Sequence, residues 1–148
     1  MKIPRWWSRW TAAWRGLPLP FHLRRGREGE DAARRYLTER GLVFLTANYR
    51  TLRGEIDLVF REGGCLVFVE VKTRSTRAWQ RPARAVDARK RRALSRVALE
   101  YLRELPEPRV PVRFDVVEVW MSDAEDGGVA AVRHLPNMFT FSAPYRHG

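Results

Sequence analysis

Three ionisable residues in the middle of the sequence, Asp57, Glu70 and Lys72, stand in or beside apolar runs where charges are costly. Glu70 and Lys72 follow residues 66–69, four consecutive apolar side chains that are typical of a strand covered on both faces. A buried ion without a partner is unstable, so these charges must be paired, exposed at a strand end or used in chemistry. Two carboxylates and a lysine are suited to binding a divalent cation and stabilising negative charge.

The relative positions of these residues follow from a predicted hairpin over residues 54–72. Two apolar strands flank the sequence REGG, a hairpin signal, and a two-residue turn at its glycines fixes the register. In that register Asp57 lies opposite Glu70, and Glu55 lies opposite Lys72. Because side chains alternate along a strand, all four are predicted to share one face of the sheet.

Opposed carboxylates at Asp57 and Glu70 are unfavourable unless something compensates for their charge. With β-carbons ~5 Å apart they repel by roughly 3 kcal/mol at an effective dielectric constant near 20. A divalent cation reverses this interaction, and carboxylate oxygens suit Mg²⁺ or Mn²⁺. Glu30, in the first turn of a predicted helix, is a candidate third ligand.

Each of these residues also has a plain structural interpretation. Glu55 and Lys72 could form an ordinary cross-strand ion pair worth under about 1 kcal/mol. Glu30 could complement the dipole of its helix. Asp57 and Glu70 could accept hydrogen bonds from nearby arginines or a backbone amine. The spacing of the motif is loose enough to arise by chance, so both interpretations stay open on pattern alone.

The elements that must position these residues follow from hydrophobic periodicity. Residues 29–40 predict a helix that ends at Gly41, and residues 83–105 predict a long amphipathic helix stopped by the sequence PEP. Strands are predicted at residues 42–49, 54–60, 65–72, 112–120 and 129–135. The order helix, three strands, long helix, one or two strands predicts an α/β domain.

The charge of the chain indicates a polyanionic partner. There are 28 Lys and Arg residues against 17 Asp and Glu, a net charge of +11. Seven of the basic residues and no acid fall in residues 1–27, which leaves a net charge of +4 for residues 28–148. Arginine, the dominant cation, matches phosphate geometry. The single cysteine predicts neither a disulfide framework nor a zinc site, and a cytoplasmic location fits best.

Residues 1–25 form a basic, tryptophan-rich N-terminal extension that is expected to be poorly ordered without a partner. A helix over residues 5–15 would place four tryptophans on one side, as in an interfacial helix, but base stacking or packing on the domain fits equally well. No segment approaches a secretory signal or a membrane span, so stable membrane insertion is not expected. The main domain is predicted at residues 26–136, followed by a tail at residues 137–148.

The chain from Gly26 to about His134 resembles the YraN family of small bacterial proteins. The resemblance is carried, in the family order, by GREGEDAARRYL, GLVFLTANYR, GEIDLVF, LVFVEVKTR, a basic helix containing Lys90, and VRFDVVEV. This family is grouped with the PD-(D/E)XK nucleases and is similar to archaeal Holliday-junction resolvases. The resemblance implies a restriction-endonuclease-like core with a central mixed sheet of four to five strands flanked by helices.

The resemblance also implies roles for individual residues. Asp57 and Glu70 match the metal-binding acids of the motif, Lys72 matches its lysine, and Glu30 matches an acid on the first helix; Glu55 is a secondary candidate. The implied activity is Mg²⁺- or Mn²⁺-dependent hydrolysis of DNA phosphodiesters, selective for structure and of a repair or recombination type. The alternative is a catalytically weak nucleic-acid-binding module with a nuclease-like fold.

Basic residues around the hairpin predict a surface for the nucleic-acid backbone. The candidates follow the third strand or lie on the long helix: Arg74, Arg77, Arg89, Lys90, Arg92 and Arg96. A solvated helix face predicts the same pattern, so the functional interpretation depends on the neighbouring acids. No base-reading signature is present in the sequence. A homodimer with two-fold symmetry is expected by analogy with the resolvases.

Overall fold

The computed structural model describes residues 21–78, 86–124 and 127–141, which form a sheet with a helix on each face. The helices are α1 (Phe21–Glu39) and α2 (Ala88–Arg103). The strands are β1 (Val43–Thr51), β2 (Gly54–Glu62), β3 (Cys65–Ser75), β4 (Val112–Met121) and β5 (Val129–Phe139), with a short 3₁₀ turn at Thr76–Ala78 after β3.

The five strands lie in the sheet in their order along the chain. β3 and β4 are parallel, and the other neighbouring pairs are antiparallel. A parallel pair needs a crossover connection, which α2 supplies between β3 and β4. The structure therefore confirms the predicted α/β class with a mixed sheet flanked by helices.

The two faces of the sheet carry separate apolar cores. The α1-side core joins Ala33 and Leu37 of α1 to Val67 and Val69 of β3. On the opposite face, the α2-side core joins Phe68 of β3 to residues of α2 that include Leu94 and Val97. Consecutive apolar residues at 66–69 are therefore buried on alternate faces, which confirms the sequence interpretation of a strand covered on both sides.

Some element boundaries differ from the predicted ones. α1 begins at Phe21 and so overlaps the predicted N-terminal extension, of which residues 1–20 lie outside the described part of the chain. Its first two turns contribute no buried residue, so they carry no apolar stripe that sequence periodicity could detect. β5 continues to Phe139, whose ring stacks on Phe114 with centroids 4.6 Å apart. Among the described residues, no helix is long and apolar enough to cross a membrane.

Gly29 brings α1 into direct contact with β3. It is buried, and a β-carbon at this position would lie 2.1 Å from the Thr73 hydroxyl oxygen. Such a distance is far inside van der Waals contact, so any larger residue would push the helix away from the strand. Glu30, the next residue, therefore owes its distance from the sheet to the absence of a side chain at Gly29.

We expect Gly29→Ala to lower the free energy of unfolding by about 1–3 kcal/mol, because the added methyl group overlaps Thr73. Gly26→Ala is the matched control in the same helix, since a β-carbon there meets nothing within 4 Å. This control should be neutral or up to about 1 kcal/mol more stable, because alanine favours a helix over glycine. Urea denaturation of both variants measures the difference, and equal effects would contradict the close-contact explanation.

Candidate active site

The candidate site lies where β2 and β3 separate. Their ladder runs from the pair Glu62 and Cys65 to the pair Leu58 and Val69, which confirms the predicted register over this length. The predicted continuation is wrong: Asp57 is not paired with Glu70, nor Glu55 with Lys72. Beyond Val69, β3 keeps its parallel pairing with β4 as far as Ser75, so β2 and β3 enclose a fork.

Asp57 lies in this fork. Its carboxylate oxygen Oδ2 accepts a hydrogen bond from the backbone N–H of Val71 at 2.7 Å. Ile56 belongs to the α2-side core and Leu58 to the α1-side core, although residues two apart on a regular strand point to the same face. The strict alternation behind the predicted common face therefore does not hold across Asp57. Of the structural partners considered for Asp57 from the sequence, arginines or a backbone amine, the structure shows the backbone amine.

Glu70 is the second carboxylate at the fork. Its side chain is 12% exposed, and Oε1 lies 3.3 Å from the Lys90 ammonium nitrogen. The other oxygen, Oε2, is buried and accepts no hydrogen bond from any described residue. A buried carboxylate oxygen without a hydrogen-bond partner is unfavourable. A cation or a hydrogen-bond donor placed at the fork would therefore stabilise Glu70. Lys90 forms this ion pair with Glu70, and its predicted contact with nucleic acid stays a prediction.

The electrostatics of the fork are dominated by burial and by like charge. Burial raises the pKa of the Asp57 carboxyl to about 8, and the negative charge of Glu70 is the next contribution. The Val71 amide acts in the opposite direction, while Glu30 and Glu55 raise this pKa further. At neutral pH the Asp57 carboxyl therefore holds a proton most of the time when no cation is bound.

Glu30, on α1, interacts electrostatically with Asp57. Burial raises the pKa of Glu30, and a hydrogen bond from the Asn48 side chain opposes that rise. Glu55 and Asp31 raise the pKa further, whereas Arg50 lowers it. Asn48 was missed by the sequence analysis. Asn48 adopts φ of 51°, a left-handed conformation that asparagine tolerates better than most residues. Asparagine is uncommon in strands, so its presence inside a predicted strand was the signal that could have identified it.

The donor set fits a hard divalent cation in part. The acids at the fork offer only oxygen atoms, which suit Mg²⁺ or Mn²⁺, and Glu70 Oε2 is buried with no hydrogen-bond partner among the described residues. Within residues 21–78, 86–124 and 127–141, however, no three acidic, histidine or cysteine side chains form a ready-made metal site. A metal-ligand role for Asp57, Glu70 and Glu30 therefore stays a prediction.

Glu55 and Lys72 do not form the cross-strand ion pair that the sequence allowed. Glu55 Oε2 lies 3.0 Å from Arg50 Nε instead, on the neighbouring strand β1. The Lys72 ammonium is half-buried and has no hydrogen bond or ion pair with the described residues. Lys72 is therefore available to a negatively charged group at the fork.

A second buried carboxylate, Glu118, lies beside Lys72 in the parallel register of β3 and β4. Its side chain is 1% exposed, with Arg74 Nε at 3.3 Å and Arg133 Nη1 at 4.0 Å. Arg74 was predicted to contact nucleic acid; its side chain is only 18% exposed beside Glu118, and contact with nucleic acid stays a prediction. The signal for Glu118 was a lone acid in the apolar run VVEVW, the same kind of anomaly as Glu70.

The remaining predicted nucleic-acid contacts lie at the surface. Arg89, Arg92 and Arg96 are exposed on α2, on the side away from the α2-side core. Arg77 has an 85% exposed side chain 3.8 Å from Asp123. Their exposure agrees with a backbone-binding surface, and contact with nucleic acid stays a prediction.

Comparisons with known proteins place the site inside a matched region. The model of a family described as "Uncharacterised protein family UPF0102" matches residues 29–119. A UPF0102 protein of Rhodococcus opacus is 43% identical over 115 residues, which cover 78% of this chain and 98% of that protein. A UPF0102 protein of Symbiobacterium thermophilum is 50% identical over 94 residues, which cover 64% of this chain and 80% of that protein. A UPF0102 protein of Solibacter usitatus is 51% identical over 96 residues, which cover 64% of this chain and 73% of that protein. The matched region contains Glu30, Asp57, Glu70 and Lys72.

The raised pKa of Asp57 predicts a specific pH dependence of stability in the absence of divalent cations. Between about pH 4 and pH 8 the folded chain keeps a proton on Asp57 that the unfolded chain gives up. Stability from this proton is complete below the lower limit and is lost as the pH rises through the upper one. Relative to Asp57→Asn, the parent should lose more than about 1 kcal/mol of unfolding free energy across this window, since one pKa unit corresponds to about 1.4 kcal/mol.

Urea denaturation of both proteins with EDTA, at pH 4.5 and at pH 8.5, measures this change. Taking the difference between the two proteins removes the contribution of Asp115, whose pKa is lowered by hydrogen bonds from His134 and Arg113 and whose effect has the opposite sign. Parallel stability profiles for the parent and Asp57→Asn would show that Asp57 carries no linked proton.

Proposed function

This chain belongs to the uncharacterised protein family UPF0102, which confirms the family resemblance, and we propose that it is a metal-dependent nuclease that hydrolyses phosphodiester bonds of DNA. The observation that carries the proposal is the fork between β2 and β3. There, the negative charge of Glu70 acts on the buried Asp57 carboxyl, and one Glu70 oxygen is buried without a hydrogen-bond donor among the described residues. Lys72, two residues after Glu70, has no ion pair within the same part of the chain.

The acids would hold the cation. Asp57 and Glu70 are the proposed ligands for Mg²⁺ or Mn²⁺, and Glu30 is a proposed further acid from α1. When bound, the cation supplies Lewis-acid polarisation of a phosphate and a lowered pKa of bound water. The Val71 amide fixes the orientation of the Asp57 carboxylate in advance, so this ligand loses little freedom on binding.

Lys72 is the proposed electrostatic catalyst. Its ammonium has no competing ion pair among the described residues, and it follows Glu70 on the same strand. Negative charge that develops on a phosphate during hydrolysis would be offset by this ammonium. The buried Glu118 beside it lies close to Arg74 and Arg133, at 3.3 Å and 4.0 Å.

The fold supports the proposal at the level of element order. A helix, three antiparallel strands, a crossover helix and a parallel fourth strand match the restriction-endonuclease-like core that the sequence resemblance implies. The exposed arginines of α2 and Arg77 suit the sugar-phosphate backbone rather than base edges, which favours selection of DNA by structure. We further propose a cytoplasmic location and a two-fold dimer, both carried over from the sequence analysis.

A second candidate function is DNA binding with negligible turnover. Two observations favour it: no three-ligand metal site is preformed within the described part of the chain, and the Lys90 ammonium lies against Glu70. In that case the fork would be a relic of chemistry, and the basic surface would be the functional part.

Cleavage of labelled single-stranded, duplex and branched DNA with Mg²⁺ or Mn²⁺ tests the proposal. We expect the parent to cut at least one substrate, and Asp57→Asn and Lys72→Met to lose about 100-fold or more in rate. Asp31→Asn is the matched control, because it removes an exposed acid of α1 outside the fork, and it should cut like the parent.

The outcomes separate the two candidate functions. Equal cutting by the parent and by the Asp57 and Lys72 variants would identify a contaminant and refute the site. No cutting by any variant, combined with DNA binding that weakens steeply with salt, would favour the binding module.

A further inference from the structure

Lys90 occupies an unusual position for a cation. It lies in the first turn of α2, where its backbone N–H donates to the Asp87 side chain at 2.8 Å as part of the N-cap. The N-terminus of a helix carries a partial positive charge that disfavours a nearby ammonium. Lys90 nevertheless directs its ammonium to Glu70 Oε1 at 3.3 Å. The carboxylate therefore holds the lysine in place against the helix dipole.

The geometry of the pair makes it reversible. Glu70 is 12% exposed, whereas the Lys90 side chain is 46% exposed, so the lysine reaches the buried acid from the solvent side. Its four-carbon stem is flexible and can carry the charge elsewhere without moving the helix. An ion pair with so much solvent contact contributes little to stability, so the fold does not depend on it.

We propose that Lys90 is an internal counter-cation, which binds Glu70 in the metal-free protein and leaves it for the DNA backbone when a divalent cation binds. This inference rests on the proposed function. A divalent ion held by Glu70 takes up the charge of this carboxylate and repels the Lys90 ammonium, which lies 3.3 Å from Glu70 Oε1. The released ammonium then joins its exposed neighbours Arg89 and Arg92 on the surface of α2.

The consequence is coupling between metal binding and DNA binding. Metal binding adds one cation to the backbone-binding surface, and DNA that attracts Lys90 leaves Glu70 open to metal. Such coupling is reciprocal, since each ligand raises the affinity for the other by the same factor. The protein would therefore bind DNA more tightly when it is loaded for chemistry.

Titration of the DNA-free protein with Mn²⁺, followed by electron paramagnetic resonance, tests the first half of the inference. Lys90→Met removes the competing charge and keeps an unbranched side chain, so Mn²⁺ should bind about fivefold more tightly, as expected when an ordinary ion pair no longer competes. Arg89→Met is the matched control, because it removes an exposed charge one residue away without a contact to Glu70. It should change the affinity much less.

The salt dependence of duplex binding tests the second half. In a Lys72→Met background, used for all proteins to suppress cleavage, Lys90→Met should lower the slope of log affinity against log salt by about one with Mn²⁺ and leave it unchanged with EDTA. Arg89→Met should act alike in both conditions, because Arg89 does not exchange partners.

The outcomes separate this inference from the proposed function. Equal Mn²⁺ affinities for Lys90→Met and Arg89→Met, with binding that requires Asp57, would refute the inference and leave the nuclease proposal standing. The expected Mn²⁺ and salt effects without any DNA cleavage would support the inference and count against the nuclease. Absence of Mn²⁺ binding by the parent would overturn both.

Discussion

The repulsion between Asp57 and Glu70 is the constraint on which the rest of the site depends. Both carboxylates are largely buried, and the negative charge of Glu70 adds to burial in raising the pKa of the Asp57 carboxyl. The metal-free protein meets the cost of these buried charges in three separate ways: a proton on Asp57, a hydrogen bond from the Val71 amide, and the Lys90 ammonium against Glu70. One oxygen of Glu70 is still left without a donor among the described residues. A single divalent cation would take over most of these tasks at once.

The scaffold keeps the two carboxylates together. The apolar part of β3, residues 66–69, is buried between the two cores. The charged part of β3 begins at Glu70, which forms an ion pair with Lys90 in the first turn of α2. The β2–β3 ladder ends at Leu58 and Val69, and beyond it the Val71 N–H donates to the Asp57 side chain while β3 stays paired with β4. On the other face, Gly29 lets α1 approach β3 closely enough for Glu30 to join the field. Burial of apolar residues in the two cores therefore offsets the unfavourable free energy of placing these charges together.

Sequence reasoning captured whatever depended on local pattern. The turn glycines gave the β2–β3 register correctly as far as Leu58, and the unbroken apolar run of β3 gave a strand covered on both faces. It failed where distant residues decide the outcome. The fork depends on the Asp57 side chain, which accepts the Val71 N–H at the point where the β2–β3 ladder has ended, and no spacing rule contains that contact. The burial of Arg74 depends on Glu118, and the pairing of Lys90 depends on where α2 begins; both are set by tertiary packing, not by periodicity.

Proton release on metal binding tests the central claim most directly. If the fork holds a proton on Asp57 because this carboxyl is buried beside a second carboxylate, a cation that binds there must expel the proton. With saturating Mn²⁺ at pH 7 in weak buffer, the parent should release close to one proton per chain, since the pKa of Asp57 is raised to about 8. At pH 9.5, where Mg²⁺ replaces Mn²⁺ because Mn²⁺ forms its hydroxide and releases protons itself, the release should nearly vanish, and Asp57→Asn should release none at either pH. Mn²⁺ binding without proton release at pH 7, or equal release from Asp57→Asn, would contradict the account.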